Sequence, residues 1–112
     1  MPLQDKQTLD IVFEREGTEP IVALAGRFTF VAHEGFRQML ERSVERLEAN
    51  CTLTIDLRGV QFVDSAALGM LLLAREAVRA RSAQISLRGA TGQVQRMLSI
   101  SKFETLFAVA PG

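Results

Sequence analysis

The sequence predicts one α/β (mixed α+β) domain spanning residues 1–112, and three observations predict it. Two strand-type patterns come before any helical one, and helical and strand patterns then alternate along the chain. The segment Thr52–Leu57 is rich in β-formers and nearly continuous in apolar character, as a central strand covered on both faces should be. With 112 residues, 47% of them hydrophobic and 23% charged, the chain has the size and composition of one globular core.

Leu9, Ile11 and Phe13 alternate with Asp10, Val12 and Glu14, which reads as a half-buried strand. Gly17-Thr18-Glu19-Pro20 reads as a turn, since glycine permits positive φ and proline fixes its own. Ile21–Ala25 then returns as the second arm of a hairpin, and Gly26-Arg27-Phe28-Thr29-Phe30 breaks the run. From about Ala32 to Ala49, Phe36, Leu40, Val44 and Leu47 recur at helical spacing, with Asn50 as the stop. After Thr52–Leu57, residues Arg58–Val63 read as a loop leading to Asp64-Ser65 and a helix reaching about Arg81. Gln84–Leu87 is a short strand closed by Arg88 and Gly89. Thr91 caps a helix whose Val94, Met97 and Leu98 face inward and which ends near Ser101. Leu106–Val109 is a last strand. The resulting order β-β-α-β-α-β-α-β implies parallel neighbours joined by right-handed crossovers.

Thirteen basic residues balance thirteen acidic ones, so no net field draws the chain to nucleic acid or anionic lipid. A lone cysteine, Cys51, and a lone histidine, His33, provide neither an internal disulfide nor a structural zinc site, and no cofactor is implied. The start, MPLQDKQTLD, is polar and lacks the basic-then-apolar order of a signal peptide. The longest apolar stretch, Ala66–Ala74, is far short of the roughly 20 residues a spanning helix needs, so a cytoplasmic protein without membrane insertion is expected.

The chemically informative stretch runs from Thr54 to Leu72, where a buried strand ends and a helix opens with Asp64-Ser65. A helix N-terminus has unpaired N–H groups and a partial positive charge, and so accommodates an anion. Two readings of Asp64 and Ser65 stand: one of them simply caps the helix, or Ser65 sits at the mouth of an anion-tolerant site. At about 100° per residue, Ala66, Ala67, Met70, Leu71, Leu73, Ala74, Ala77 and Val78 fall on one broad face. Ser65, Leu68, Gly69, Leu72, Arg75, Glu76 and Arg79 fall on the other. Leu68 and Leu72 beyond an exposed serine would make a small apolar docking patch, unless a neighbouring loop covers both.

The run Asp-Leu-Arg-Gly-Val-x-Phe-Val-Asp-Ser-x-x-Leu-Gly within Thr54–Leu72 resembles the signature of the STAS domain, the family of anti-sigma factor antagonists and sulphate-transporter cytoplasmic domains. The element order matches that family over essentially the whole chain. The resemblance implies a central mixed sheet of about five strands with helices covering one face. It further implies that Ser65 is the acceptor for a serine kinase that is itself the anti-sigma factor, and that a PP2C-type phosphatase removes the phosphate. Asp64, Ser65, Leu68, Gly69 and Leu72 are then the partner-binding residues. Unmodified protein would bind the partner and modified protein release it, because phosphate adds about −1.5 to −2 charge at the interface. Where many antagonists read Asp-Ser-Ser-Gly-Leu-Gly, this chain reads Asp64-Ser65-Ala66-Ala67-Leu68-Gly69, leaving one candidate hydroxyl and placing a methyl on the inner helix face. Gly26–Phe30 also lacks the acidic residue common after the family's second strand. The alternative is a scaffold without phosphorylation, as a subunit of a lipid-transport ABC complex or of a stress-signalling assembly.

An enzyme is not expected. A nucleophile elbow needs glycine two residues either side of the serine, and Val63 and Ala67 stand there. Gly89-Ala90-Thr91-Gly92 lacks the lysine of a phosphate-binding loop. Cys51, Met39, Met70 and Met97 read as core filler, and Arg37, Arg42 and Arg46 among Glu34, Glu41, Glu45 and Glu48 as a solvated helix face. Of Phe28 and Phe30, one is expected to be exposed near Ser65, with the pattern favouring neither.

Overall fold

In the computed structural model, which describes residues 8–17 and 19–110, β1 (Leu9–Glu16) pairs antiparallel with β2 (Glu19–Phe28). Thr18 of the expected turn and the polar start through residue 7 lie outside the described residues, while Gly17 adopts φ +66° as the turn requires. From β2 the chain continues through α1 (His33–Glu45), β3 (Thr52–Val63), α2 (Ser65–Arg79), β4 (Gln84–Arg88), α3 (Gly92–Ile100) and β5 (Ala108–Ala110). The five strands lie in chain order, and β2, β3, β4 and β5 are mutually parallel. Successive right-handed crossovers that step one way across a sheet place all their helices on one face. Accordingly Val22, Leu24, Leu53, Ile55, Leu57, Ile85 and Leu87 share one core with Phe36 of α1, Leu71 of α2 and Val94 of α3. The α/β class is therefore as the sequence predicts, and the mixed sheet and the one-sided helical layer are as the family resemblance implies.

Several boundaries differ from expectation, β2 for one beginning at Glu19 within the expected turn. Helix α1 stops at Glu45, and Leu47 is buried beyond its end; Asn50, with φ +68°, serves the turn into β3 and donates its N–H to the Ser82 carbonyl. β2 runs on through Gly26 and Arg27 to Phe28. The expected loop Arg58–Val63 is the second half of β3, paired with β2 across register shifts near Ala25 and Arg27. β5 begins at Ala108, later than predicted. At the β2–β3 bulge a side chain on Gly59 would place its Cβ 2.9 Å from that of Ala25, so glycine permits the close strand approach. The tilted stack of Phe28 on Phe36, ring centroids 5.1 Å apart, binds α1 to the end of β2.

Among the described residues the face without helices has one buried charge. Asp56, 3% exposed, projects from β3 and is flanked by Arg58 on its own strand and Arg88 on β4. The Arg58 Nε lies 3.1 Å from both carboxylate oxygens, its Nη2 2.7 Å from Oδ2, and its backbone N–H 3.0 Å from Oδ1; Arg88 Nη2 adds a 3.3 Å contact. Burial by itself raises the Asp56 pKa, but these bonds from Arg58 and Arg88 outweigh it and hold the carboxyl below the ordinary range. Gly89, at φ +80°, lies against the Arg58 stem, where an added Cβ would be 2.1 Å from Cγ. We expect Gly89→Ala to cost roughly 1–3 kcal/mol from the strained backbone and the displaced arginine, measured by urea denaturation.

Candidate functional site

The parallel strands β2 and β3 end side by side, with Phe28 opposite Val63. Each then turns into a helical segment. Thr29 opens a single turn of 3-10 helix, Phe30–Ala32, accepting at its Oγ1 from the Val31 N–H, and the turn runs directly into α1. On the neighbouring strand, Asp64 is the N-cap of α2, in extended conformation at φ −107°. Its Oδ1 accepts from the Ala67 N–H at 2.9 Å, the bond that defines an N-cap, and its Oδ2 accepts from the Phe30 N–H at 3.1 Å. Its own N–H donates to the Phe28 carbonyl. One residue thus ties the start of α2 to the turn that follows β2.

Behind it, β3 extends past the reach of β4, whose pairing stops at Asp56–Arg88. The backbone of Val63 would lack a strand partner on that side. Gln93, in the first turn of α3, supplies one: its Oε1 accepts from the Val63 N–H at 3.0 Å and its Nε2 donates to the Val63 carbonyl at 2.9 Å. The side-chain amide takes the place of a peptide group in a neighbouring strand. The end of β3, and with it the first turn of α2, is held from both sides.

Ser65 is the first residue of α2 and is exposed. Of the two readings left open by the sequence, capping belongs to Asp64 and not to Ser65. Among the described residues the Ser65 hydroxyl has no hydrogen-bond partner. It stands in solvent at the positive end of a 15-residue helix, where an added anion meets N–H groups and a favourable dipole. Both Asp64 oxygens, by contrast, are engaged in holding structure.

The expected partner-binding residues separate. Gly69 is exposed, and Leu72 is at the edge of exposure (36%). Leu68 is not on the water-facing side: it is 9% exposed and belongs to the core. Leu73, placed by the wheel on the inner face, is 63% exposed. The buried arc of α2, which includes Ala67, Leu68, Met70, Leu71, Ala74 and Val78, is rotated from the expected one toward the Leu68 side. That flank is closed by the segment before β5, where Arg75 Nε donates to the Leu106 carbonyl at 2.8 Å. On the other flank, Leu73 lines a shallow groove with Met70 of α2 and with His33, Phe36, Arg37 and Leu40 of α1. Ala67 faces fully inward, as expected for the methyl that replaces the family's glycine.

Phe30, 68% exposed, and Val31 are further apolar residues at this end, while Phe28 is wholly buried. The structure therefore decides the Phe28/Phe30 alternative. The signal for Phe30 was its position just beyond the strand, where alternation no longer dictates burial; for Gln93 no local signal existed, because its partner is 30 residues away. His33 is exposed at the start of α1, Cys51 is half-buried, Met39 and Met70 are buried and Met97 is half-buried. Among the described residues no helix is long and apolar enough to cross a membrane.

Comparison with known proteins agrees with this geometry. The chain is similar to a STAS-domain containing protein of Pseudomonas aeruginosa (strain UCBPP-PA14), 40% identical over 95 residues that cover 85% of this chain and 91% of the relative. Among solved structures, the fold is similar to an anti-sigma factor antagonist from Mycobacterium paratuberculosis, with TM-score 0.82 and 18% identity over 100% of this chain and 92% of that one. It is also similar to an anti-sigma-factor antagonist (STAS) domain protein from Planctomyces limnophilus, with TM-score 0.80 and 13% identity over 91% of this chain and 90% of that one. The family model described as "Mlab, STAS domain" matches residues 11–108, nearly all of the sheet and every helix, and the chain belongs to the STAS domain family.

Proposed function

We propose that this protein is an anti-sigma factor antagonist whose binding is switched off by phosphate on Ser65. The observation that supports the reading is the free Ser65 hydroxyl, exposed at a helix start whose cap is already provided by Asp64. It is a binding protein and not an enzyme; the chemistry belongs to its partners. The partner serine kinase, itself the anti-sigma factor, would transfer the γ-phosphoryl group of ATP to Ser65 Oγ. The O–P bond to ADP breaks, the Oγ–P bond forms, and the hydroxyl proton passes to a base of the kinase. A PP2C-type phosphatase would return the serine by hydrolysis. In the neutral state a partner packs on Gly69, Leu72 and Leu73 beside the apolar pair Phe30 and Val31. In the modified state it would have to desolvate a dianion next to the Asp64 carboxylate, at a cost exceeding what the apolar contacts return. The site of action would be the cytoplasm.

A second reading rests on the description of the matched family, "Mlab, STAS domain". It is a scaffold subunit of a lipid-transport ABC complex that uses the same helix end without phosphorylation. One experiment separates the two. Tagged wild type and Ser65→Ala are recovered from native cells, bound proteins are identified, and the intact mass is measured. The antagonist reading predicts a kinase partner and an added phosphate on wild type only. ABC-complex subunits held equally by both proteins, with no added mass, would refute it.

A further inference from the structure

Asp64 reaches two segments with one rigid carboxylate: Oδ1 holds the Ala67 N–H of α2, and Oδ2 holds the Phe30 N–H, 34 residues away. The turn so held carries Phe30 and Val31 in the open. Its other bonds are local, from the Ala32 N–H to the Thr29 carbonyl, from the His33 N–H to the Phe30 carbonyl and, at a long 3.4 Å, from the Val31 N–H to the Thr29 hydroxyl. Ser65 is covalently next to this carboxylate and otherwise unengaged. We propose that Asp64 is a latch through which the charge on Ser65 sets the position of Phe30 and Val31. The proposal deepens the reading above and rests on Ser65 accepting phosphate.

A neutral hydroxyl leaves the first amides of α2 to Asp64. A dianionic phosphate on the adjacent residue competes for those amides and repels the carboxylate. Because both oxygens move together, loss of the Ala67 bond carries the Phe30 bond with it. Partner release then has two components: a charge appears where contact was made, and the apolar pair beside it loses its fixed position. The device is local, since Phe28 remains stacked on Phe36 and Val63 remains bracketed by Gln93.

The test installs phosphoserine at position 65 during translation, so neither kinase nor partner is required. Amide hydrogen exchange is followed by NMR for wild type, the phosphorylated protein, Asp64→Ala and Asp64→Asn. Protection of the Phe30 amide should fall about tenfold or more on phosphorylation, with Ile55 and Leu57 unchanged; the Ala67 amide should lose less, since it also donates to the Asp64 carbonyl at 3.1 Å. Asp64→Ala should show the same loss without phosphate and no further loss with it; if that variant fails to fold, Asp64→Asn, which keeps an acceptor, supplies the comparison. Equal Phe30 protection with and without phosphate would overturn the latch, and would place the phosphate on the Ser65 and Ala66 amides with Asp64 undisturbed. Absence of a kinase in native cells would instead overturn the antagonist reading while leaving the exchange result intact.

Discussion

Ser65→Asp is expected to bind the proposed anti-sigma partner at least about thirtyfold more weakly than wild type, while Ser65→Ala binds within a fewfold of it. Titration calorimetry with the purified partner checks this. The physical basis is the asymmetry between adding and removing charge at a contact. Removing a hydroxyl that has no partner among the described residues takes nothing from the free protein. Adding a carboxylate within the proposed apolar contact leaves a charge to be desolvated without a counter-ion, a penalty of about 2–5 kcal/mol, and each 1.4 kcal/mol is tenfold in affinity. The same substitution should leave folding intact, because a negative residue in the first turn of a helix is favoured by roughly 0.3–1 kcal/mol. An unchanged melting temperature together with lost binding is therefore the expected pair of results. Full-strength binding by Ser65→Asp would remove the electrostatic basis of the switch.

Asp56→Ala is expected to lower the unfolding free energy by about 3 kcal/mol, a large fraction of the 5–15 kcal/mol that holds a domain of this size together. The carboxylate is buried and accepts from two arginines on adjacent strands. Its removal leaves the Arg88 side chain, only 22% exposed, beside an empty position, whereas Arg58 at 60% can recover water, which sets the loss at the lower end of the range for broken buried pairs. Thermal unfolding should shift down by roughly 10 °C or more. The pH dependence has a definite sign. Since the folded pKa of Asp56 lies below that of the unfolded chain, the unfolded chain takes up the proton first on acidification. The stabilisation is complete above about pH 4 and is lost as pH falls through the folded value. Asp56→Asn removes this component, so its stability should decline less steeply than that of wild type below about pH 4. Parallel acid profiles would show that Arg58 and Arg88 do not stabilise the ionised form.

How much of this was legible beforehand can be traced through particular residues. Leu9, Ile11 and Phe13 declare their face by alternation, and in the sheet Ile11 and Phe13 lie opposite Leu24 and Val22 on the helix-covered side. Asp64-Ser65 announces the start of α2 because a short polar acceptor between a β-rich run and a helical period fits little else. The second half of β3 was hidden. Arg58 and Gly59 lower β-propensity, and the bulge breaks the period of two on which strand recognition depends. The surface of α2 was half legible: Ser65 and Gly69 are exposed as expected, whereas Leu68 and Leu73 exchange places. A helical wheel gives angles between residues but not the direction of the core, and two leucines near opposite edges of the arc are assigned by what packs beside them.

From the amino-acid order alone followed the class of fold, the succession of its elements and the hydroxyl at the mouth of α2, since each depends on residues a few positions apart. Three things waited for the folded chain: which flank of α2 is covered, how Asp56 is neutralised from β4, and how Gln93 and Asp64 fix the ends of β3 and β2. These are contacts across roughly thirty residues or more, or a matter of neighbouring segments closing on a surface. Propensity and periodicity carry only short-range correlations. A buried polar group, in contrast, must find its partner wherever the fold delivers one, and that partner becomes visible only when the distant segments meet.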